Sequence, residues 1–203
     1  MGPTQVFVSG YSRVLAVATA LVAVVAALST VGSGDLRLTL LGLLGVTLAA
    51  VLLWAIFWRP SVEVSDGGVR VVNVLRTIEI PWPVLDRAEV RWSLELHTLD
   101  ARWTAWSAAR SSAAGAAVRR NEQTRSDRGQ PRGAMGRLTS AASAEHVAKA
   151  IVTKQESLLA AGHLDGAQRR ARDNGLRETV TWHRGTIATT LALGALTVVA
   201  ALA

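Results

Sequence analysis

The chain has 203 residues, half of them hydrophobic, with a mean hydropathy of +0.28 and a formal net charge of +7. An ordinary soluble domain disperses its apolar residues, whereas here they gather toward the two ends. The absence of cysteine excludes a disulfide framework, a zinc–thiolate site and a thiol nucleophile, and a basic set of 20 Arg against 2 Lys reads as GC-rich codon usage rather than as nucleic-acid binding.

Met1 to Ser12 is expected to be a short leader, with Arg13 following it. Val14 to Val31 carries no charge and is about the shortest run that crosses a hydrocarbon core of about 30 Å at about 1.5 Å per residue. A cleaved signal peptide would also have a charged start and small residues such as Ala26 and Ala27, but a second apolar run begins at once and argues against cleavage. That run, Leu38 to Phe57, follows the tight turn Gly32-Ser33-Gly34-Asp35. It ends in Trp54, Phe57 and Trp58 before Arg59-Pro60, the pattern of a helix leaving a bilayer through its headgroups. Gly42, Gly45 and Ala49 lie near one side of it and would let the first helix approach closely. Residues 1–58 are thus expected to form a transmembrane helical hairpin, with spans at about 14–31 and 38–57.

Residues 59–107 change period. Val62 and Val64 share a face, and Val69, Val71 and Leu75 lie opposite Arg70, Val72, Val74 and Arg76. Ile78 and Ile80 continue the alternation, and Val90, Trp92, Leu94 and Leu96 alternate with Arg91, Ser93, Glu95 and His97. Short runs with a period of two, broken at Asp66-Gly67-Gly68 and at Pro81-Trp82-Pro83, predict an antiparallel sheet that buries one face. Five strands are expected, the last two being Glu89 to His97 and Ala101 to Ser107 around a turn at Leu99-Asp100. The alternation assigns Trp92 and Trp103 to the core and leaves Trp106 exposed.

From 108 to 139 the sequence is Ala, Ser, Gly, Arg and Gln without periodicity, which predicts a flexible insertion. Residues 140–162 then predict an amphipathic helix that completes the domain, capped by Ser140 or Ser143. Glu145 sits in its first turn, and Val147, Ala148, Ile151, Val152, Leu158 and Leu159 recur at helical spacing. Residues 163–184 read as a basic linker in which Arg169, Arg170, Arg172 and Arg177 are candidate contacts to a lipid surface. Gly185 to Ala203, again without charge, predicts a third transmembrane helix. The fold class expected is a membrane protein of α+β type: an N-terminal helical hairpin, a small antiparallel β-domain with a C-terminal helix, and a C-terminal span.

Between Arg59 and Arg184 there are 20 basic and 14 acidic residues, while the hairpin turn carries only Asp35 and Arg37. Because Arg13, Arg59 and Arg184 flank the same side, the middle domain is expected in the cytoplasm, in a multi-pass protein of the cell membrane with its C-terminus outside.

The segment from Arg59 through Ile80-Pro81-Trp82, with the strands around Trp92 and Arg102-Trp103-Thr104-Ala105-Trp106, resembles the small bacterial PH-like domain of actinobacterial membrane proteins, a family related to low molecular weight antigen proteins. The resemblance implies a PH-like β-sheet packed with a helix, two transmembrane helices ahead of it, and no established catalytic role. A phosphoinositide site would need bases in the first strand-to-strand loop, yet Ser65-Asp66-Gly67-Gly68 offers an acid and no base. Residue patterns for catalysis are missing too: no nucleophile elbow, no phosphate-binding loop, no paired carboxylates that the sequence places together. His97, His146, His163 and His183 lack metal-ligand spacing, so no metal and no cofactor is expected. His97 reads as a solvated strand residue, and Glu79 and Glu95 as outer-face charges. The expectation is a non-enzymatic, membrane-anchored module that docks a protein partner through a surface drawn from Trp106, Arg70 and Arg76. The alternative is a sensor of anionic lipid headgroups that uses the basic linker and the insertion. Specific nucleic-acid binding is not expected, since no aromatics interleave the arginines.

Overall fold

The computed structural model describes residues 4–8, 10–31, 35–109, 137–141 and 143–202. The chain divides into two units: Met1–Val8, Ser61–Val71 and Ile78–Thr179 in the first, Ser9–Pro60, Val72–Thr77 and Val180–Ala203 in the second.

The strands form two sheets. β1 (Thr4–Val8), β2 (Ser61–Val64), β3 (Gly68–Val72), β4 (Arg76–Pro81), β8 (Arg137–Ala141) and β9 (Thr179–Trp182) form one, in the order β8-β1-β2-β3-β4-β9. β5 (Leu85–Val90), β6 (Ser93–Thr98) and β7 (Arg102–Ala109) form the other, as an antiparallel meander. Val62, Val64, Val69, Val71, Ile78 and Ile80 from one sheet and Leu85, Leu94, Leu96 and Ala105 from the other are all buried, the yield of a period of two on each strand. β7 packs against β2, and α3 (Ala144–Ala160) closes the core by laying Ala144, Val147 and Ile151 over β5, β6, β2 and β7. The Ser143 hydroxyl caps this helix, accepting from the His146 N–H at 3.2 Å. Gly162, at φ 73°, turns the chain just past its end.

Gly68 is required by a close approach: a Cβ there would lie 2.2 Å from the carbonyl oxygen of Ile80 on β4. Trp82 is buried, and its indole N–H donates to the Ser65 carbonyl at 3.0 Å, which ties the β2–β3 turn to the end of β4. The Ile80-Pro81-Trp82 segment therefore works as a structural pin.

The second unit holds three apolar helices. α1 (Gly10–Val31) packs on α2 (Leu36–Leu53), which starts from an Asp35 cap and runs into a π-helical turn over Trp54–Trp58; α5 (Arg184–Leu202) packs along α2. Both ends of that last pair are tied. Arg37 donates to the Ala201 carbonyl at 2.9 Å, and Arg59 donates to the Thr186 hydroxyl at 2.8 Å while its guanidinium lies 5.3 Å from the Trp54 ring centre. α2 and α5 thus run antiparallel along their full length. Leu36–Trp58 and Arg184–Leu202 are long and apolar enough to cross a membrane, and the apolar run in α1, Val14–Ser29, is shorter. Within the same unit His183 binds the β3–β4 turn: its backbone N–H donates to Leu75 at 2.8 Å, and its ring lies 2.9 Å from the Thr77 hydroxyl and 3.2 Å from the Val74 carbonyl.

The structure departs from several of the sequence-based expectations. Thr4–Val8, read as a leader, is a strand between β2 and β8, with Phe7 in the core. Glu89 to His97 is two strands, because the chain reverses at Arg91-Trp92, where the Arg91 N–H meets the Ser93 carbonyl at 3.1 Å. Trp92 consequently sits on a turn, 88% exposed, and not in the core. Leu75 is exposed in the β3–β4 turn, and a Cβ at Gly45 would meet nothing, so Gly45 makes no close helix contact. In α3, Val152 and Leu159 face outward. The basic linker contains α4 (Ala167–Asp173), held by buried Ala167 and Ala171, and β9. Most of the expected insertion, residues 110–136, lies outside the described residues, and its two ends are drawn into β7 and β8.

Candidate functional site

The outer face of the β5–β7 sheet brings together a cluster of ionisable side chains. Its register sets Arg87 beside His97 and His97 beside Arg102, and Glu89 beside Glu95 and Glu95 beside Thr104. Like charges placed directly opposite across two strands repel, so the Glu89–Glu95 pair needs compensation. Arg87 donates to Glu89 at 2.6 Å, and Arg102 lies 3.6 Å from Glu95. The His97 Nε2 lies 3.5 Å from a Glu89 oxygen and 3.9 Å from a Glu95 oxygen. The hydrogen bond from Arg87 holds the Glu89 carboxyl below its usual range, with the charges of Arg87, His97 and Arg91 acting the same way.

His97 was expected to be solvated, and it is not: its side chain and that of Glu95 are each 17% exposed. The cluster is not legible on one continuous strand, where Glu89 and Glu95 stand far apart; the β5–β6 hairpin is what sets them side by side. The available signal was Glu95-x-His97, two residues apart and therefore on one face.

At one end of the sheet the β6–β7 register breaks. Ser93 pairs with Ala109 while Leu94 pairs with Ala105, so the stretch after Ala105 bulges out of the ladder. Bulges re-aim side chains. Trp106 lies in this one, 62% exposed, and Trp92 lies in the turn that leads into Ser93, at the same end of the sheet. Trp103 is on the opposite side of β7, half-buried, its indole N–H donating to Glu178 at 3.2 Å.

Arg70 and Arg76, the other candidates for a partner surface, each have charged or aromatic neighbours. Arg70 lies between Glu63 at 3.7 Å and Glu79 at 3.2 Å. Arg76, in the second unit, stacks over Trp182 at 5.6 Å. Of the lipid-contact candidates, Arg169 and Arg172 are exposed on α4, Arg170 donates to the Asp165 carbonyl at 2.7 Å, and Arg177 lies 3.8 Å from Asp100. Open clefts flank Trp82 and Pro83; Lys154 lines one, with its ammonium on Asp66, and Gln155 and Arg169 line the other.

Residues 59–129 match the family model of the bacterial PH domain. No curated protein and no solved structure matches the chain. The chain thus carries a bacterial PH-like domain, an antiparallel-sheet domain with helices, and domains of this type are typically non-catalytic interaction modules.

Proposed function

We propose that this protein is a membrane-anchored interaction module whose PH-like domain docks a protein partner at the inner face of the cytoplasmic membrane. The observation that carries the docking is the pair of exposed tryptophans, Trp92 and Trp106, at one end of the β5–β7 sheet. Tryptophan dominates protein interfaces because it removes a large apolar area from water and loses few rotamers in doing so. The β5 strand adds a second means of attachment, since among the described residues it has a single strand neighbour and leaves backbone groups for a partner strand.

The membrane anchor rests on how the apolar helices are presented. A helix that is apolar because it belongs to a soluble core is mostly buried, yet only 6% and 0% of the apolar windows of Leu36–Trp58 and Arg184–Leu202 are buried within the protein. Arg37 and Arg59 tie α5 along α2, so whatever medium surrounds one surrounds the other. With α1 beside them the reading is three spans, the PH-like domain in the cytoplasm and the C-terminus outside.

The test has two arms. A reporter active only in the cytoplasm, fused at Gln130 and again after Ala203, is expected to be active at the first site and silent at the second; silence at Gln130 overturns the orientation. A photo-cross-linking residue at Thr104, exposed next to the bulge, is expected to give one discrete protein adduct in cells, lost in Trp106→Ala. Adducts unchanged by Trp106→Ala overturn the docking surface. Exposed Arg169 and Arg172 on α4 support a second reading, adsorption to anionic lipid. Salt separates the two, since screening weakens charge-driven adsorption far more than an apolar interface.

A further inference from the structure

We propose that Glu89, Glu95 and His97 form a binding site for a divalent transition-metal ion on the outer face of the β5–β6 pair, with Zn2+ the ion that fits best. One atom from each residue, an oxygen from either glutamate and a nitrogen from the histidine, lies within 4.8 Å of the other two. In a tetrahedral zinc site with bonds of about 2.0 to 2.1 Å, neighbouring ligand atoms stand about 3.3 Å apart. The His97 Nε2 lies 3.5 Å from Glu89 Oε2 and 3.9 Å from Glu95 Oε2, so small rotamer adjustments close the set around an ion.

A second observation points the same way. The Glu95 Oε2 and the His97 Nε2 are shielded from solvent and make no hydrogen bond among the described residues. A polar atom removed from water without a hydrogen bond is costly, and here two such atoms face each other beside a second carboxylate. A cation satisfies both at once and turns the Glu89–Glu95 opposition from a repulsion into a shared ligation. One imidazole, two carboxylates and no sulfur suit Zn2+ and its first-row neighbours, and the fourth position stays open to water.

The two arginines differ in what they would do. Arg87 holds Glu89 by Oε1 and leaves Oε2 directed at His97, so it acts as an orienting partner behind the ligand. Arg102 lies 3.6 Å from the Glu95 oxygen that the ion would take. Its side chain is 58% exposed and can swing into water, which makes it a competitor of the ion.

The test uses the full chain in detergent, purified without a histidine tag, with Zn2+ titrated by calorimetry and Co2+ absorption reporting the ligand field. One saturable site is expected, at least tenfold weaker in both His97→Ala and Glu95→Gln, unchanged in His163→Ala, and tighter in Arg102→Ala. Raised thermal stability on Zn2+ addition, lost in His97→Ala, is expected alongside. Far-UV circular dichroism checks that each variant is folded. No saturable Zn2+ binding to the wild type, binding that survives both His97→Ala and Glu95→Gln, or binding that disappears with His163→Ala overturns the proposal. This outcome is independent of whether Trp106 docks a partner.

Discussion

Val62, Val71 and Ile78 in the sheets are fully buried, while Val14, Val22 and Leu191 in the helices are 70%, 69% and 68% exposed. These are the same kinds of side chain, and burying one from water is worth about 1.5 to 3 kcal/mol wherever it occurs. In the sheet unit the protein supplies the apolar surroundings itself. The helical unit leaves its apolar side chains exposed, which is the observation behind the proposed membrane anchor. The composition of a stretch says that it seeks such surroundings, and its period says who provides them. A period of two over four to six residues leaves a polar face for water, whereas the helices carry apolar residues all the way round.

Truncating an apolar side chain is expected to have unequal effects in the two regions. Ile78→Ala is expected to lower the stability of the detergent-solubilised chain by about 2 to 5 kcal/mol, because it opens a cavity in a packed core. Leu191→Ala is expected to change it by less than about 0.5 kcal/mol, since that side chain has few protein partners to lose. Chemical denaturation followed by near-UV circular dichroism reads both; equal losses would place α5 in the protein core and remove the argument for the membrane.

A smaller effect tests the sheet alone. Gly68→Ala places a Cβ 2.2 Å from the Ile80 carbonyl oxygen, a backbone atom that cannot turn aside, so the β3–β4 pairing has to part. A loss of about 1 to 3 kcal/mol is expected, as for other overpacked sites. Gly67→Ala, whose new Cβ would have only the Ser65 hydroxyl within reach at 4.0 Å, is the control expected to cost far less. A similar loss in the two would shift the cause from the close approach to general turn flexibility.

The parts of the fold with a strong local signal were legible in the sequence. Val62, Val64, Val69, Val71, Ile78 and Ile80 alternate cleanly and are buried as expected, with Leu75 the exception, and Ser143, one of the two serines expected to cap the helix, does so. What escaped depends on long-range pairing. Thr4–Val8 is too short to show a period of its own and is a strand only because β2 and β8 flank it. Val90-Arg91-Trp92-Ser93 keeps the alternation straight through a chain reversal, so period alone could not show that Trp92 sits on a turn. The Glu89–Glu95–His97 cluster was hidden for the same reason, since only the hairpin brings Glu89 across to the other two.

The smallest expected effect concerns that cluster and the acid side of stability. The carboxyl of Glu89 titrates below its usual range in the folded protein, chiefly through its hydrogen bond from Arg87, although partial desolvation pulls the other way. A carboxyl whose folded value is lowered binds its proton more readily in the unfolded chain. Its contribution to stability is therefore complete above the unfolded value and disappears as the pH falls through the folded one. Glu89→Gln should accordingly flatten the acid limb of the wild-type stability curve while leaving the region from neutral upward parallel to it. Because the side chain is 37% exposed, solvent screens the Arg87 pair and the difference will be modest. Taking the difference between variant and wild type, unfolded at a series of pH values without added metal, cancels the titration of the other carboxylates. A difference curve that is flat through the acid range would mean that Arg87 does not hold Glu89 in solution. The outer face of the β5–β7 sheet would then lack the orientation that separates it from an ordinary solvated surface.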